Sequence, residues 1–411
     1  MATPSAVCAS TRVLALVATG WMSSAIAQPE YEIQPLAIDG QANSTGQGIS
    51  ESGAFVTGTS NSDAVRWTES GGTVLLPMLS SPSRPFSLAQ DVNDNGVVVG
   101  TGATTFFGSS PLPIMWDSSG TVSQLPLPAG ETLGRAFGVN NDGTVVGSVD
   151  GGSLEQAAVF TTVLGSVLTQ TMPNGGVLRT AYAINGAGRI VGQALNPNNA
   201  AVTNGFYLDS GDSEATDIGA LTSLGHNSAI AFAVSSDGRI AGSSSLNSGA
   251  DARPFVWTES GGMIEVPLLA GTSTGGARGI NASGWAVGTM SSATSIVFVY
   301  DGTQTYALED LITTDEDWDL TGGTSNGAFG IADDGTITGR GLYNGEITGF
   351  VATLVSSCAA DVNGDGMLTP TDFTAWINAF NNSLPQCDQN SDGACTPTDF
   401  TAWIANYNAG C

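Results

Sequence analysis

Lysine is absent from this chain of 411 residues, and a single histidine, His226, serves all of it. Ten arginines stand against 37 aspartates and glutamates, for a formal net charge of −27. Little here could release counterions from phosphates, so nucleic acid and anionic membrane surfaces are disfavoured as partners. Solubility and cation binding are favoured. Any Ser-His-Asp or Cys-His triad would have to use His226. That residue stands in LGHNSAIAF, a polar turn before a strand, and reads as an exposed loop histidine. No Cys/His cluster has zinc spacing. Nowhere do eighteen apolar residues run uninterrupted, so no membrane span is expected.

Cysteine is scarce and unevenly placed. Cys8 lies in the first 27 residues, where Arg12 is the only charge, Val13–Val17 is apolar, and Ala25-Ile26-Ala27 forms an A-x-A cleavage site. Residues 1–27 are therefore expected to be a secretory signal peptide. The other four cysteines, Cys358, Cys387, Cys395 and Cys411, crowd the C-terminal end. Export makes a disulfide framework the expectation. Four cysteines allow three pairings; one joins Cys358 to Cys411 and Cys387 to Cys395.

Residues 28–355 carry one unit seven times. Its anchor is a strand, a four-residue turn and a second strand: GISESGAFVTG, DVNDNGVVVG, GVNNDGTVVG, AINGAGRIVG, AVSSDGRIAG, GINASGWAVG and GIADDGTITG. The turn glycines are Gly53, Gly96, Gly143, Gly188, Gly238, Gly284 and Gly335, spaced 43 to 51 residues apart. Asn, Ser or Ala opens each turn and Gly takes the left-handed position, which is hairpin chemistry. A third strand follows, ending near Trp67, Trp116, Phe160, Tyr207, Trp257 or Tyr300, and several units add a fourth, such as GTVLLPM from Gly72. Four short strands in about 45 residues make a propeller blade. The seventh unit stops at Val355 without its fourth strand, and Tyr31–Ile38 near the N-terminus looks like one. The fold expected is mainly β, a seven-bladed propeller closed by an N-terminal strand, which would leave no open sheet edge.

The core A-F/Y-x-[IV]-N-x-x-G-x-[IV]-V-G, closest in Ala136-Phe137-Gly138-Val139-Asn140 and Ala328-Phe329-Gly330-Ile331, resembles the extracellular HAF-repeat family. The resemblance covers most of residues 40–350. It implies an exported repeat protein and no established activity.

The C-terminal stretch says one phrase twice: DVNGDGMLTPTDFTAWI from Asp361 and DQNSDGACTPTDFTAWI from Asp388. Asp361, Asn363, Asp365, the Met367 carbonyl, Thr369 and Asp372 hold positions 1, 3, 5, 7, 9 and 12 of a calcium loop. Asp388, Asn390, Asp392, the Ala394 carbonyl, Thr396 and Asp399 hold them in the second. Two Ca²⁺ ions are expected. Phe373, Trp376, Ile377 and Phe380, and their counterparts Phe400, Trp403, Ile404 and Tyr407, predict an amphipathic helix after each loop. The paired triplets Phe373-Trp376-Ile377 and Phe400-Trp403-Ile404 are expected to form the core between the helices. Thr369 and Thr396 can cap those helices with Asp372 and Asp399 three residues on.

A calcium loop followed but not preceded by a helix, given twice, resembles the type I dockerin module over residues 358–411. The resemblance implies a small α-helical domain that docks a cohesin-like or cell-surface protein partner. Loop positions 10 and 11, here Pro370-Thr371 and Pro397-Thr398, help decide recognition in that family.

One other acidic cluster, LEDLITTDEDWDL, offers Glu309, Asp310, Asp315, Glu316, Asp317 and Asp319. Paired carboxylates of this kind can do glycosidase chemistry. Two functional readings follow. One is an exported, non-enzymatic binding or scaffold protein, at the cell surface or outside the cell, with the propeller open to a glycan ligand. The other is a carbohydrate-active, glycoside-hydrolase-like enzyme of polysaccharide degradation that carries a dockerin. The repeats favour the first, since no blade stands apart in chemistry.

Overall fold

The structure is a computed structural model and describes residues 29–38, 43–105, 109–150, 154–247, 249–313, 317–355, 359–363, 368–382, 384–390 and 394–409. Pro29–Val355 forms one compact unit, and the residues from Ser356 onward belong to a second.

The first unit is a seven-bladed β-propeller. Six blades are four-stranded antiparallel sheets built from consecutive strands. The first runs Ser44–Ile49, Val56–Ser60, Asp63–Thr68, Gly72–Leu75, and the sixth runs Thr274–Ile280, Ala286–Ser291, Ser295–Tyr300, Thr305–Ala307. The seventh contains Gly327–Ile331, Ile337–Tyr343 and Glu346–Val355, with the short strand Trp318–Asp319 paired to the end of Ile337–Tyr343. Its outer strand comes from the other end of the sequence. Glu30–Leu36 lies antiparallel to Glu346–Val355, from Glu30 opposite Val355 to Leu36 opposite Gly349.

Apolar side chains fill the gaps between blades. Val56, Val65 and Trp67 of blade one meet Leu36 and Val351 of blade seven. Val99 of blade two joins Val139 and Phe160 of blade three, and Ala241 of blade five joins Ala277 and Phe298 of blade six. The same arrangement fills the other four gaps. Burial of this kind is worth roughly 1.5–3 kcal/mol for each large apolar side chain.

The repeat motif encodes one device seven times. In every blade the innermost strand slips register by one residue opposite its neighbour: at Gln47, Gln90, Phe137, Tyr182, Phe232, Arg278 and Phe329. These are β-bulges, which re-aim a side chain at the cost of one unpaired residue. The last glycine of the motif sits beside each bulge. A Cβ on Gly147 would collide with the Arg135 carbonyl, and one on Gly288 with the Gly276 carbonyl. The glycine is therefore fixed by close backbone approach.

All seven turn glycines have positive φ, between 73° at Gly96 and 89° at Gly335. The turn asparagines do two things at once. Asn93, Asn140, Asn185 and Asn281 each accept, through Oδ1, the N–H four residues on, at 2.9–3.0 Å. Through Nδ2 each donates to a carbonyl of the next blade: Asn140, Asn185, Ser235 and Ala332 respectively, at 2.8–3.3 Å.

Two helices form the second unit's regular structure, α1 (Pro370–Asn381) and α2 (Pro397–Ala409). Thr369 caps α1 in a capping box with Asp372. Trp376 and Trp403 are buried at the centre, with Ala360, Phe373, Phe380 and Tyr407 around them. The expected stripe needs one correction. Ile377 and Ile404 are each 41% exposed. At 3.6 residues per turn Ile377 lies about 100° round the helix from Trp376. Ala379 takes the buried place on the other side of Trp376. The two halves clasp reciprocally: Trp376 Nε1 donates to the Cys387 carbonyl just before loop two, and Trp403 Nε1 to the Ala360 carbonyl just before loop one, both at 3.2 Å.

Deleting residues 30–38 removes Tyr31 and Leu36, both fully buried, and bares the edge of Glu346–Val355. The expected outcome is a melting temperature lower by roughly 10 °C or more, with concentration-dependent aggregation. An unchanged melting curve would show that the seventh blade does not need this strand.

Candidate functional site

The bulge residues make the site. Gln47, Gln90, Phe137, Tyr182, Phe232 and Phe329 line a central cavity of about 240 Å³ together with Arg278. Three aromatics follow one another round the wall. Phe137 and Tyr182 have ring centroids 5.8 Å apart, and Tyr182 and Phe232 are 5.3 Å apart. The Arg278 guanidinium lies over the Phe232 ring, 3.8 Å from its centroid. Arg278 is open to the channel's water, yet protein surrounds it on most sides. That enclosure holds its pKa below the usual guanidinium value, with Tyr182 opposing.

The two ends of the channel differ in chemistry. At the hairpin end are Glu51, Asp91, Asp94 and Asp333. Asp94 Oδ1 accepts from the Ser52 N–H and hydroxyl, and its Oδ2 accepts from Asn141 Nδ2. Asp333 Oδ1 accepts from the Ala282 N–H at 2.9 Å, and Oδ2 from the Ser236 hydroxyl. Burial, then the neighbouring Asp94 and Asp333, raise the Glu51 carboxyl above its usual value. Asp91 is pushed up to about 7 by burial, although the Val139 and Val92 N–H groups donate to its oxygens. At the opposite end, a cavity of about 460 Å³ opens among blades five, six and seven, and no acid among the described residues lines it. Its charged residues are Arg278 and Arg340. Arg340 donates through Nε to the Ser325 carbonyl at 2.6 Å and lies 5.7 Å from the Phe329 centroid. The expectation that no blade stands apart in chemistry is therefore corrected: blades five to seven carry this pocket.

His226 is buried, not exposed as its sequence context suggests. Nδ1 lies 3.2 Å from Ser244 Oγ and Nε2 lies 3.7 Å from Asp251 Oδ2. The trio has the residue types of a catalytic triad, but the ring nitrogens are reversed with respect to one, and Ser244 has no exposed surface to meet a substrate. Its hydroxyl donates to the Ser228 carbonyl and accepts from the Leu221 N–H, which pins the blade-five entry loop.

The acidic cluster near Trp318 also serves the backbone. Glu309 Oε2 accepts from the Leu320 N–H and the Thr321 hydroxyl, and Asp319 Oδ1 accepts from the Thr321 and Gly322 N–H groups. Asp315 and Glu316 lie outside the described residues.

Of the twelve calcium-loop positions, Asp365, Met367 and Asp392 lie outside the described residues. The others gather in two matching sets. Asp372 Oδ2 accepts from the Thr369 N–H and Oδ1 from the Asn363 N–H; Asp399 accepts likewise from Thr396 and from Gln389 and Asn390. Asp361 reaches hydrogen-bonding range of the Asp372 carboxyl. Asp388 and Ala394 stand in the second set's sequence positions. Asp372 and Asp399 have no exposed surface. Burial favours their neutral forms, but the amide donors outweigh it and hold both below the usual carboxylate range. Among the described residues no cluster of three or more acidic, His or Cys side chains forms. Residues 356–411 contain no arginine, lysine or histidine, so this segment supplies no cationic side chain of its own. The donor set thus suits a hard cation with oxygen ligands. Cys387 and Cys395 form a disulfide, while Cys358 and Cys411 lie outside the described residues.

No known protein family matches the chain, and no curated protein sequence does either. Solved structures do. Virginiamycin B lyase from Staphylococcus aureus is similar at 13% identity, with a TM-score of 0.50, over 79% of this chain and all of that one. The extracellular domain of the two-component system BT4673 from B. thetaiotaomicron is similar at 12% identity, with a TM-score of 0.47, over 78% of this chain and 40% of that one. YCF48 bound to D1 peptide is similar at 12% identity, with a TM-score of 0.45, over 80% of this chain and 96% of that one. At such identity the likeness to the lyase concerns the fold.

Asp91 predicts a pH dependence. Its folded-state pKa, about 7, lies above the ordinary carboxylate value of 3.8. The folded form therefore holds the proton more tightly, and this contribution to stability is present at low pH and lost as pH rises from about 4 through 7. In melting curves taken at successive pH values, Asp91→Asn should flatten the decline across that window. Parallel wild-type and variant profiles would refute the assignment.

Proposed function

We propose that this chain is an exported, non-enzymatic binding protein, with the propeller as its ligand-presenting body and a dockerin-like C-terminal module as its attachment. In this reading the module binds two Ca²⁺, one through Asp361, Asn363, Asp365, the Met367 carbonyl, Thr369 and Asp372. The second uses Asp388, Asn390, Asp392, the Ala394 carbonyl, Thr396 and Asp399. The observation that supports it is the doubled loop: Asp372 and Asp399, both without exposed surface, take the same amide contacts at position 12 of two matching acidic loops, in a segment with no basic side chain.

The attachment surface follows from the near-twofold arrangement. Each helix exposes one isoleucine, Ile377 or Ile404, and a pair of threonines, Thr371 and Thr374 or Thr398 and Thr401. Either half can therefore offer the same patch to a cohesin-like or cell-surface protein. The alternative, a carbohydrate-active enzyme, draws less support. Glu309 and Asp319 hold backbone amides, and Ser244 beside His226 is sealed.

Calcium titration of the full chain by calorimetry should show two sites, with Asp372→Asn and Asp399→Asn each removing one. Absence of calcium heat in the intact protein would sink the metal assignment. Docking has its own test: a chain ending at Val355 should be lost from the extracellular or cell-surface fraction that retains the full chain. Equal retention of both would show that the module is not the attachment.

A further inference from the structure

The acid-free pocket among blades five, six and seven has features that the docking reading leaves unused. In a chain of net charge −27, a cavity of about 460 Å³ lined, among the described residues, by two arginines and no carboxylate is a local reversal of sign. Among the described residues neither Arg278 nor Arg340 has an acid within salt-bridge reach. Arg189, Arg239 and Arg253 do have one; Arg66, Arg84, Arg135 and Arg179 also lack one, so what distinguishes the two is that both line the same cavity. Each of the two lies instead near a phenylalanine: Arg278 over Phe232 and Arg340 near Phe329. Such a contact fixes the guanidinium plane and leaves N–H edges available to an anion.

Hydroxyl residues complete the wall: Ser243, Ser291, Ser295 and Thr324 line it and keep some exposure. Gly249, Gly275, Gly276 and Ala252 carry little or no side chain there and leave room. The volume falls in the range that holds a small ligand. Wall hydroxyls that both donate and accept suit a partner that is itself a polyol.

We propose that this pocket binds a carboxylated sugar, a uronic-acid residue of an acidic oligosaccharide, with its carboxylate on Arg278 and Arg340 and its hydroxyls against the serine and threonine wall. The proposal rests on the reading of the propeller as a binding body and names its ligand class. It is independent of the calcium module. A carboxylate fits better than a phosphate for an electrostatic reason. The field of a strongly acidic protein opposes two charges placed inside the pocket about twice as much as one; one uronate of an oligosaccharide puts a single charge between the guanidiniums, whereas a phosphate dianion puts two there. No α-helix N-terminus lies among the lining residues to help offset them.

The experiment uses the full chain at fixed calcium. Calorimetry compares α-1,4-linked trigalacturonate with the same trisaccharide whose carboxyls have been reduced to alcohols, with inorganic phosphate as competitor. The expected result is binding of the acid at least tenfold tighter than of the reduced sugar. Arg278→Gln and Arg340→Gln should each weaken it tenfold or more, and phosphate at millimolar concentration should not compete. If one variant fails to fold, as judged by its melting curve, the other carries the test. Equal binding of acid and alcohol would overturn the carboxylate assignment while leaving a sugar-binding propeller. Displacement by phosphate would mark a general oxyanion site and overturn it too. Failure of trigalacturonate to bind would sink the proposal, and the fractionation of the shortened chain would still decide the docking reading separately.

Discussion

One side chain, the asparagine that opens the hairpin turn, joins two levels of this structure. Its carbonyl oxygen closes its own turn, and its amide nitrogen reaches the equivalent carbonyl of the next blade. A buried amide left without partners costs about 1–3 kcal/mol, so each of these asparagines requires both its hairpin and its neighbour in place. Local turn chemistry thereby becomes a constraint on the angle between blades. Where serine replaces it, at Ser50 and Ser235, the hydroxyl still accepts an N–H of its own turn. It makes no bond to the carbonyl that asparagine reaches; Ser235 Oγ donates instead to Asp237 of its own turn. At those places longer-range groups bridge the turns: Ser52 to Asp94, and Asp333 to both Ala282 and Ser236. The ring of turns is continuous in function although its chemistry changes.

The bulge next to each turn has the opposite character. Backbone geometry there is held by the paired glycine, which cannot take a Cβ without collision. The bulged side chain itself is aimed into the channel and makes no demand on the sheet. Seven positions are therefore free to vary within one scaffold: two glutamines, four aromatics and one arginine. Diversity placed where the fold does not care is how a repeat protein acquires a site. The arginine's value depends on its surroundings, since a guanidinium among Asp94, Asp91 and Glu51 would be neutralised. Arg278 lines both cavities, the first with Glu51, Asp91 and Asp333 and the second with no acid among the described residues.

The repeat, its seven turns and the third strands ending near aromatics were legible because each depends on neighbours in sequence. Positive φ at Gly96 or Gly284 follows from a four-residue hairpin, and the capping box at Thr369 follows from three-residue spacing. The site was not legible for the same reason. Phe137, Tyr182, Phe232 and Arg278 come from four blades, roughly 45 residues apart, and only the ring brings them together. A signal did exist: in the repeat alignment these are the bulky residues wedged between two small ones. His226 shows the converse. Its polar sequence context suggests exposure, but Ser244 and Asp251, from later strands, enclose it. Ile377 was misplaced by a smaller margin, because a stripe read at three- and four-residue spacing is wider than the seam two short helices can bury.

Charge separates the roles of the two units. In the propeller, acids are distributed, and many are occupied by backbone amides, as at Asp319, Asp94 and Asp91. Such carboxylates shape loops and need no counter-ion. In the C-terminal unit the same amide contacts appear at Asp372 and Asp399. A side-chain hydrogen bond with Asp361 also lowers the pKa of Asp372, and residues 356–411 hold no basic side chain. The first arrangement is complete as it stands. The second has the same amide contacts in two matching acidic loops without a base of their own, and that contrast motivates the proposal of attachment for one unit and ligand presentation for the other.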